Sequence, residues 1–238
     1  MAIELLMEFI GTFILCLSIN LSTSYFLSNQ IVNWLLIFAG FYTAITWTRE
    51  ISGGHLNPAV TTAFYFSKRS NLDASTSLLY FLFQILGAIT ACLFSYIVYN
   101  GHIVNLAINS NSNKIQAFLV EILSTFFFVY TILCQSNKSS NLFMEKSAST
   151  LIIALALFAS ASVAGNISGG CLNPAIGIAL NFSRLLSRQN YNEIMYVWLY
   201  ILGPLLGGIC ASLVYNSFYA TCFSNEKEDN RVDHDSRN

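Results

Sequence analysis

Two stretches of the chain, SGGHLNPAVTTAF at 52–64 and SGGCLNPAIGIAL at 168–180, are near copies of each other. Each contains a glycine pair followed by Asn-Pro-Ala, and each comes after a long apolar segment. Proline has no backbone N–H, and it suits the first turn of a helix because the N–H groups there have no partner within the helix. An asparagine before the proline can cap the helix. We therefore predict that Asn57 and Asn173 each begin a short helix.

Other apolar segments are long enough to cross a hydrocarbon core of about 30 Å, which takes roughly 20 residues. The six predicted spans are 5–27, 32–49, 75–99, 115–135, 147–165 and 193–219, and the two shorter apolar segments are 55–66 and 171–182. Each span must be helical because lipid cannot satisfy backbone polar groups. The composition agrees, with 55 % hydrophobic and only 10 % charged residues, against about 25 % charged residues in soluble domains.

The two halves of the chain are also related outside the asparagine motifs. MEFIGTFILC at 7–16 matches VEILSTFFFVY at 120–130, which aligns Glu8 with Glu121, 113 residues apart. The two asparagine motifs lie 116 residues apart. Each half has three spans, an odd number, so the second half must be inverted in the membrane. Inverted repeats place their functional site near the midplane, at discontinuous helices.

These features predict an all-α membrane protein with six transmembrane helices and two re-entrant half-helices. The predicted organisation is a single channel domain over 1–223, with repeats at about 5–100 and 115–219, and a disordered cytoplasmic tail over 224–238. Basic residues favour the inside, which predicts that both termini are cytoplasmic. The basic residues would then be Arg49, Lys68, Arg69, Lys138, Lys146, Lys227, Arg231 and Arg237 inside, and Lys114, Arg184 and Arg188 outside.

In an inverted repeat the two short helices enter from opposite faces and meet at their N-termini. Each N-terminus carries roughly half a positive charge, so two of them at mid-membrane repel cations. The side-chain amides of Asn57 and Asn173 can donate hydrogen bonds to the oxygen of a passing solute. The glycine pairs let the chain approach closely and expose carbonyl groups to the pore, and they are Gly53-Gly54 and Gly169-Gly170. The predicted pore therefore has donors and acceptors but no net charge.

The doubled motif, the repeated glutamate and the six spans resemble the aquaporin family, also called major intrinsic proteins, over about 5–219. The resemblance implies a passive channel for water or for small neutral solutes such as glycerol or urea. It also implies a homotetramer with one pore per subunit, and no cofactor or energy source. The pore centre would be formed by the two motifs: Asn57, Pro58, Ala59, Asn173, Pro174 and Ala175.

One position departs from the family pattern. An arginine nearly always follows the second motif in the family and forms an outer constriction with three other residues, but here the position holds Ile176. The arginine is one barrier to protons and cations, and the half-helix dipoles are another. By spacing, the other constriction positions correspond to Ala161, to Gly170 and to one residue of the second span, for which the candidates are Ile37, Phe38 and Ala39.

The constriction residues indicate only in part which solute the channel passes. Small and apolar side chains there predict a wider and less polar site than a water-only filter, which suits glycerol or urea. Two other positions disagree, because glycerol-type relatives usually have Asp where this chain has Gly177 and a proline near the position of Tyr200. The choice between water and larger solutes stays open at this stage.

Four further residues have a functional and a structural interpretation. Glu8 and Glu121 are expected to anchor the re-entrant loops by accepting backbone hydrogen bonds, and a proton relay is the alternative. His55 is expected to line the inner vestibule, with a pH gate near pH 6–7 as the alternative. Cys171 lies near the pore by spacing, and packing is its simpler role.

Two other function classes compete with a passive channel. An ion-coupled carrier is the first, because inverted repeats are also a transporter design, and a structural membrane protein with an inactive pore is the second. The expected partners are water, small neutral solutes, the lipid bilayer and other copies of the chain. A net charge of −1 gives no basic surface for nucleic acid. The scattered cysteines predict no metal site, and the absence of a nucleophile–base pairing argues against an enzyme.

Overall fold

Eight α-helices form the part of the chain that the computed structural model describes, which is residues 1–22, 29–68, 70–101, 103–104, 106–136, 145–186 and 195–219. No strand occurs within these ranges. The helices are α1 (Ala2–Ser22), α2 (Gln30–Ser52), α3 (Pro58–Phe66), α4 (Ala74–Val98), α5 (Lys114–Ser136), α6 (Lys146–Gly165), α7 (Pro174–Leu186) and α8 (Val197–Val214). A π-helical turn, Tyr215–Tyr219, continues α8.

Six of these helices, α1, α2, α4, α5, α6 and α8, are long and apolar enough to cross a membrane, with mean hydropathies between 1.4 and 2.1. The predicted fold class, six spans and two short helices, is therefore confirmed. The predicted end of the first span at residue 27 and the tail 224–238 lie outside the described residues.

Both short helices begin at the predicted asparagines. α3 runs from Pro58 to Phe66 and α7 from Pro174 to Leu186, so α7 extends beyond the end of the apolar segment 171–182. Both begin where the capping asparagine ends the preceding loop. The Asn57 Oδ1 accepts the Ala59 N–H at 2.8 Å and the Asn173 Oδ1 accepts the Ala175 N–H at 3.0 Å, which satisfies one otherwise unpaired donor at each helix start.

The helix α4 also has a side-chain cap, at Asp73. The Asp73 Oδ1 accepts the backbone N–H of Thr76 at 2.8 Å and the hydroxyl of Ser75 at 2.5 Å. These hydrogen bonds favour the ionised carboxyl and lower the pKa of Asp73 from 3.8 to about 2, with the Ser75 hydroxyl as the largest cause.

The helices pack in the same way in both halves. α1 packs against α2 and α4, and α5 packs against α6 and α8. The short helices cross between the halves, because α3 lies against α8 and α7 lies against α4. A Cβ on Gly208 would lie 2.4 Å from the Ala59 carbonyl oxygen, so only glycine allows this approach of α8 to α3. The two halves therefore hold each other's short helix in place.

The loops before α3 and α7 have matching backbones. The φ angles of Gly53 and Gly169 are 91° and 95°, and those of Leu56 and Leu172 are 54° and 53°. A leucine in the left-handed region is strained and persists only where its surroundings fix it. The same strained path in both halves shows that the sequence repeat is also a structural repeat.

Candidate functional site

The N-termini of α3 and α7 meet through their capping asparagines. The Asn57 Nδ2 donates to the Leu172 carbonyl oxygen at 2.8 Å, and the Asn173 Nδ2 donates to the Leu56 carbonyl oxygen at 2.9 Å. Both asparagines are buried. The reciprocal pair of bonds joins the two loops directly and places the two partially positive helix ends side by side.

Each asparagine keeps one donor for another partner. An Asn side-chain amide has two N–H groups, and among the described residues each of these amides has one acceptor, a leucine carbonyl of the opposite loop. Both side chains line the same cavity. The second N–H of Asn57 and of Asn173 is thus available to a hydrogen-bond acceptor in the cavity.

The cavity has a volume of about 100 Å³. A buried water needs about 10–15 Å³, so several waters or one small solute fit. Among its described lining residues no side chain is charged, and the wall is mostly aliphatic and aromatic. Its polar lining groups are concentrated at the asparagine pair and along the 169–171 loop, and Ser22 adds a hydroxyl.

The residues predicted for the outer constriction are brought together only in part. Ile37, Ala161, Gly170 and Ile176 all line the cavity, and a Cβ on Gly170 would lie 2.5 Å from the Ala161 carbonyl oxygen. The other two candidates of the second span lie elsewhere. Phe38 packs on Tyr42 and Phe158, and Ala39 is exposed on the outside of the helix bundle. Of the three candidates, the structure brings only Ile37 to the cavity.

Comparison with known proteins agrees with this geometry. The family model described as "Major intrinsic protein" matches residues 2–215. The chain belongs to the major intrinsic protein family. It is a multi-pass integral membrane protein of a family of passive channels for water and small solutes, and not an enzyme.

Relatives of the major intrinsic protein are found among curated sequences and solved structures. The chain is 35 % identical over 218 residues to the glycerol uptake facilitator protein-like 6 of Lactiplantibacillus plantarum, covering 87 % of this chain and 94 % of that one. It is 32 % identical over 182 residues to the probable aquaporin TIP2-2 of Arabidopsis thaliana, covering 75 % and 68 %. The aquaglyceroporin from Plasmodium falciparum has the same fold, with a TM-score of 0.80 at 21 % identity over 93 % of this chain and 98 % of that chain.

Glu8 holds the first re-entrant loop of the channel. Its Oε1 accepts the Ser52 hydroxyl at 2.6 Å and the His55 N–H at 3.0 Å. Its Oε2 accepts the Leu56 N–H at 2.7 Å and the Gln84 amide at 2.8 Å. A carboxylate is an acceptor only, so four donors match the ionised group and make its burial tolerable.

Glu121 has the same role in the second half of the channel. It accepts the Ser168 hydroxyl at 2.6 Å and the backbone N–H groups of Cys171 and Leu172 at 2.9 and 2.8 Å. Like Glu8 it is fully buried. Neither carboxylate lines the described cavity, which favours an anchoring role over a proton relay.

Two tyrosines, whose anchoring role the sequence analysis did not predict, hold the same loops from the third span of each half. The Tyr80 hydroxyl donates to the Ser52 carbonyl at 2.9 Å, and the Tyr200 hydroxyl donates to the Ser168 carbonyl at 2.7 Å. The repeat itself is the signal that would have found them, because both tyrosines occupy the third span and face equivalent serines.

His55 and Cys171 occupy equivalent positions but have different surroundings. The His55 ring stacks on Phe64 at 4.5 Å between centroids, and its Nδ1 lies 3.1 Å from the Thr61 Oγ1. His55, Gly53 and Gly54 are absent from the described lining of the cavity, whereas Gly169 and Cys171 line it. The cavity thus lies on the second-loop side of the asparagine pair.

Apolar residues that the sequence did not single out also form the cavity wall. They are Leu15, Ile19, Trp34, Phe41, Val104, Leu106, Phe128, Leu157 and Leu180. Helical spacing could have found some of them, because Phe41 follows Ile37 by one turn and Leu157 precedes Ala161 by one turn. In a membrane helix, however, apolar residues face both lipid and pore, so composition alone does not select them.

Proposed function

We propose that the chain is a passive channel whose single channel domain conducts water and neutral solutes of about the size of urea or glycerol, in single file, past Asn57 and Asn173. The observation that carries the proposal is the pair of reciprocal bonds between these asparagines and the opposite loops, 2.8 and 2.9 Å long. Each amide is held rigidly with one N–H left for the solute oxygen. A neutral acceptor gains a hydrogen bond there, whereas a cation meets two partially positive helix ends.

The residues at the outer end of the pore favour the passage of solutes larger than water. Ile37, Ala161, Gly170 and Ile176 present small or apolar side chains to the cavity. Without a charged group, the site offers little to replace the hydration of an ion but accepts CH groups, whose burial is worth about 0.8 kcal/mol each. We propose that these four residues form the outer constriction.

Gly177 and Tyr200, which favour water on family resemblance, have a packing explanation. A Cβ on Gly177 would lie 2.7 Å from the Tyr200 Cβ and 3.3 Å from the Tyr200 carbonyl oxygen, so the close approach of α7 to α8 requires glycine at 177. Tyr200 in turn holds the Ser168 carbonyl. Both residues therefore have packing and loop-anchoring roles in this structure, and flux measurements decide between water and the larger solutes.

The names of the relatives are consistent with both solute classes. One similar protein is called a probable aquaporin and another a glycerol uptake facilitator-like protein. Because the chain is similar to both, the proposal includes water together with the larger neutral solutes.

Stopped-flow light scattering on proteoliposomes tests the proposal, with water, urea and glycerol gradients. The parent should exceed empty vesicles for water and for at least one of the two solutes. Ile176→Arg should reduce urea and glycerol flux more than water flux, because the guanidinium fills the outer constriction. Ile3→Arg, on the exposed side of α1, serves as the control for an added arginine. Parent rates equal to those of empty vesicles would refute the proposal.

We further propose a homotetramer with one pore per subunit and both termini in the cytoplasm. Clustered cations support the orientation: Arg49 donates to the Gln135 carbonyl and to Thr150, and Lys146 pairs with Glu50 at 2.5 Å. These residues lie at one end of α2, α5 and α6, the end predicted to be inside. Protease digestion of a C-terminal tag in intact cells tests the orientation, and light scattering of detergent-purified protein tests the tetramer.

A further inference from the structure

Four apolar residues surround the point where the two halves of the channel meet. Leu15 and Phe128 occupy equivalent repeat positions 113 residues apart, and Phe41 and Leu157 occupy equivalent positions 116 residues apart. These are the same two offsets that relate the glutamates and the asparagines. All four residues are buried and line the cavity that holds Asn57 and Asn173. We call them the central ring.

The central ring lies deeper than the outer constriction. Phe41 is four residues past Ile37 along α2, and Leu157 is four residues before Ala161 along α6, which is about 6 Å along each helix axis at 1.5 Å per residue. α2 and α6 run in opposite directions through the repeat, so both steps lead inward. The ring therefore lies inward of the outer constriction and lines the same cavity as the asparagine pair.

The ring is asymmetric because each phenylalanine has a leucine at the equivalent position of the other half. The Phe41 and Phe128 rings contact each other edge to face, with centroids 5.7 Å apart and planes 62° apart. Both side chains are almost fully buried, at 2 % and 1 % exposure. One is on α2 and the other on α5, so their contact closes the wall between the two halves of the channel. At the equivalent positions the repeat has leucines, which occupy less space.

We propose that the Phe41–Phe128 pair is the size-selecting constriction of this channel, facing the amides of Asn57 and Asn173; the inference rests on the proposed function. A solute passes with its hydroxyl or amide groups toward the two asparagines and its CH edge against the two rings. Water, urea and glycerol are expected to pass between the rings and the asparagines. A four-carbon polyol such as erythritol enters the wider outer end, with Ala161, Gly170 and Ile176, but stops at the ring.

The test replaces each aromatic residue by the residue of its repeat partner, in the double variant Phe41→Leu, Phe128→Leu. The ratio of erythritol to glycerol permeability in proteoliposomes should rise about tenfold, which corresponds to a barrier lowered by about 1.4 kcal/mol. Phe94→Leu is the matched control, because Phe94 also contacts a phenylalanine, Phe13, edge to face at 6.2 Å and 65°, and neither lines the described cavity. The control ratio should equal that of the parent.

A second variant works in the opposite direction and guards against a folding defect in the first. Leu157→Phe adds a third aromatic residue to the ring and should lower glycerol flux severalfold while water flux falls less. An unchanged erythritol-to-glycerol ratio in the double variant, with parental glycerol flux, overturns the inference and leaves the proposed function intact. If the double variant does not fold, an unchanged glycerol-to-water ratio in Leu157→Phe overturns it instead. A parent that passes neither water nor glycerol refutes both proposals.

Discussion

Replacing Glu121 by glutamine exchanges one acceptor oxygen for an amide N–H without changing the size of the side chain. The carboxylate accepts three hydrogen bonds, from Ser168, Cys171 and Leu172. The least costly orientation puts the new amide nitrogen opposite Leu172 alone, since the other oxygen position faces two donors. One backbone N–H then loses its acceptor inside the protein.

The cost follows from the number and kind of bonds. An orphaned buried N–H costs about 1–3 kcal/mol, and the two remaining bonds each weaken by about 1 kcal/mol when their acceptor is no longer charged. A neutral amide is easier to bury than a carboxylate, so we expect a net loss of about 2–4 kcal/mol. At roughly 2–4 °C per kcal/mol for a chain of this length, the apparent Tm in detergent should fall by about 5–15 °C.

Thermal unfolding and water flux measured on the same preparation check this expectation. Flux should fall with the Tm, because the loop that Glu121 holds carries Gly169, Gly170 and Cys171 along the cavity. Glu145→Gln is the matched control, since Glu145 is exposed and its side chain accepts the exposed Ser147 hydroxyl but caps no backbone N–H of its helix. A Glu121→Gln protein with the Tm and flux of the parent would refute the anchoring role.

Three further predictions use other parts of the structure. Gly170→Ala should abolish flux or folding, because φ is +69° and the new Cβ would lie 2.5 Å from the Ala161 carbonyl oxygen; the left-handed backbone alone costs about 1–2 kcal/mol, and a parental Tm would contradict this. Asn173→Asp keeps the helix cap but cannot donate to the Leu56 carbonyl, so stopped-flow rates should drop sharply, and unchanged rates would argue against the pore centre. Asp73→Ala removes the cap of α4 and should lower the Tm at pH 7. The pKa of Asp73 in the folded protein lies below its ordinary value, so the ionised cap stabilises the folded state fully above about pH 4. The difference in Tm between variant and parent should therefore shrink as the pH falls toward about 2. A Tm difference that does not change with pH would contradict this.

Some features could be read directly from the chain because they depend on local chemistry. The six spans follow from length and apolarity, and the two short helices follow from Asn-Pro at 57–58 and 173–174. Both helices begin directly after the predicted asparagine. The asparagine that caps a helix is not part of it, and the glycine loop before it follows a left-handed path that apolar composition does not reveal.

The identity of the second-span residue at the outer constriction could not be read in this way. Spacing left Ile37, Phe38 and Ala39 open, and the structure brings Ile37 to the cavity while Phe38 packs between helices. Consecutive residues on a helix point about 100° apart, so the rotation of α2 about its axis decides which one faces the pore. That rotation is set by packing against α1 and α6.

The sequence by itself determined the membrane class, the inverted repeat, the family and the helix caps, because each rests on composition, spacing or contacts between near neighbours along the chain. Tertiary structure alone decided which apolar side chains face the solute, including Phe41 and Phe128, and which side of the asparagine pair holds the cavity. The physical reason is that lipid and pore wall both accept apolar residues, so no polar–apolar periodicity distinguishes the two faces of a helix. Only the packing of all eight described helices turns one face inward.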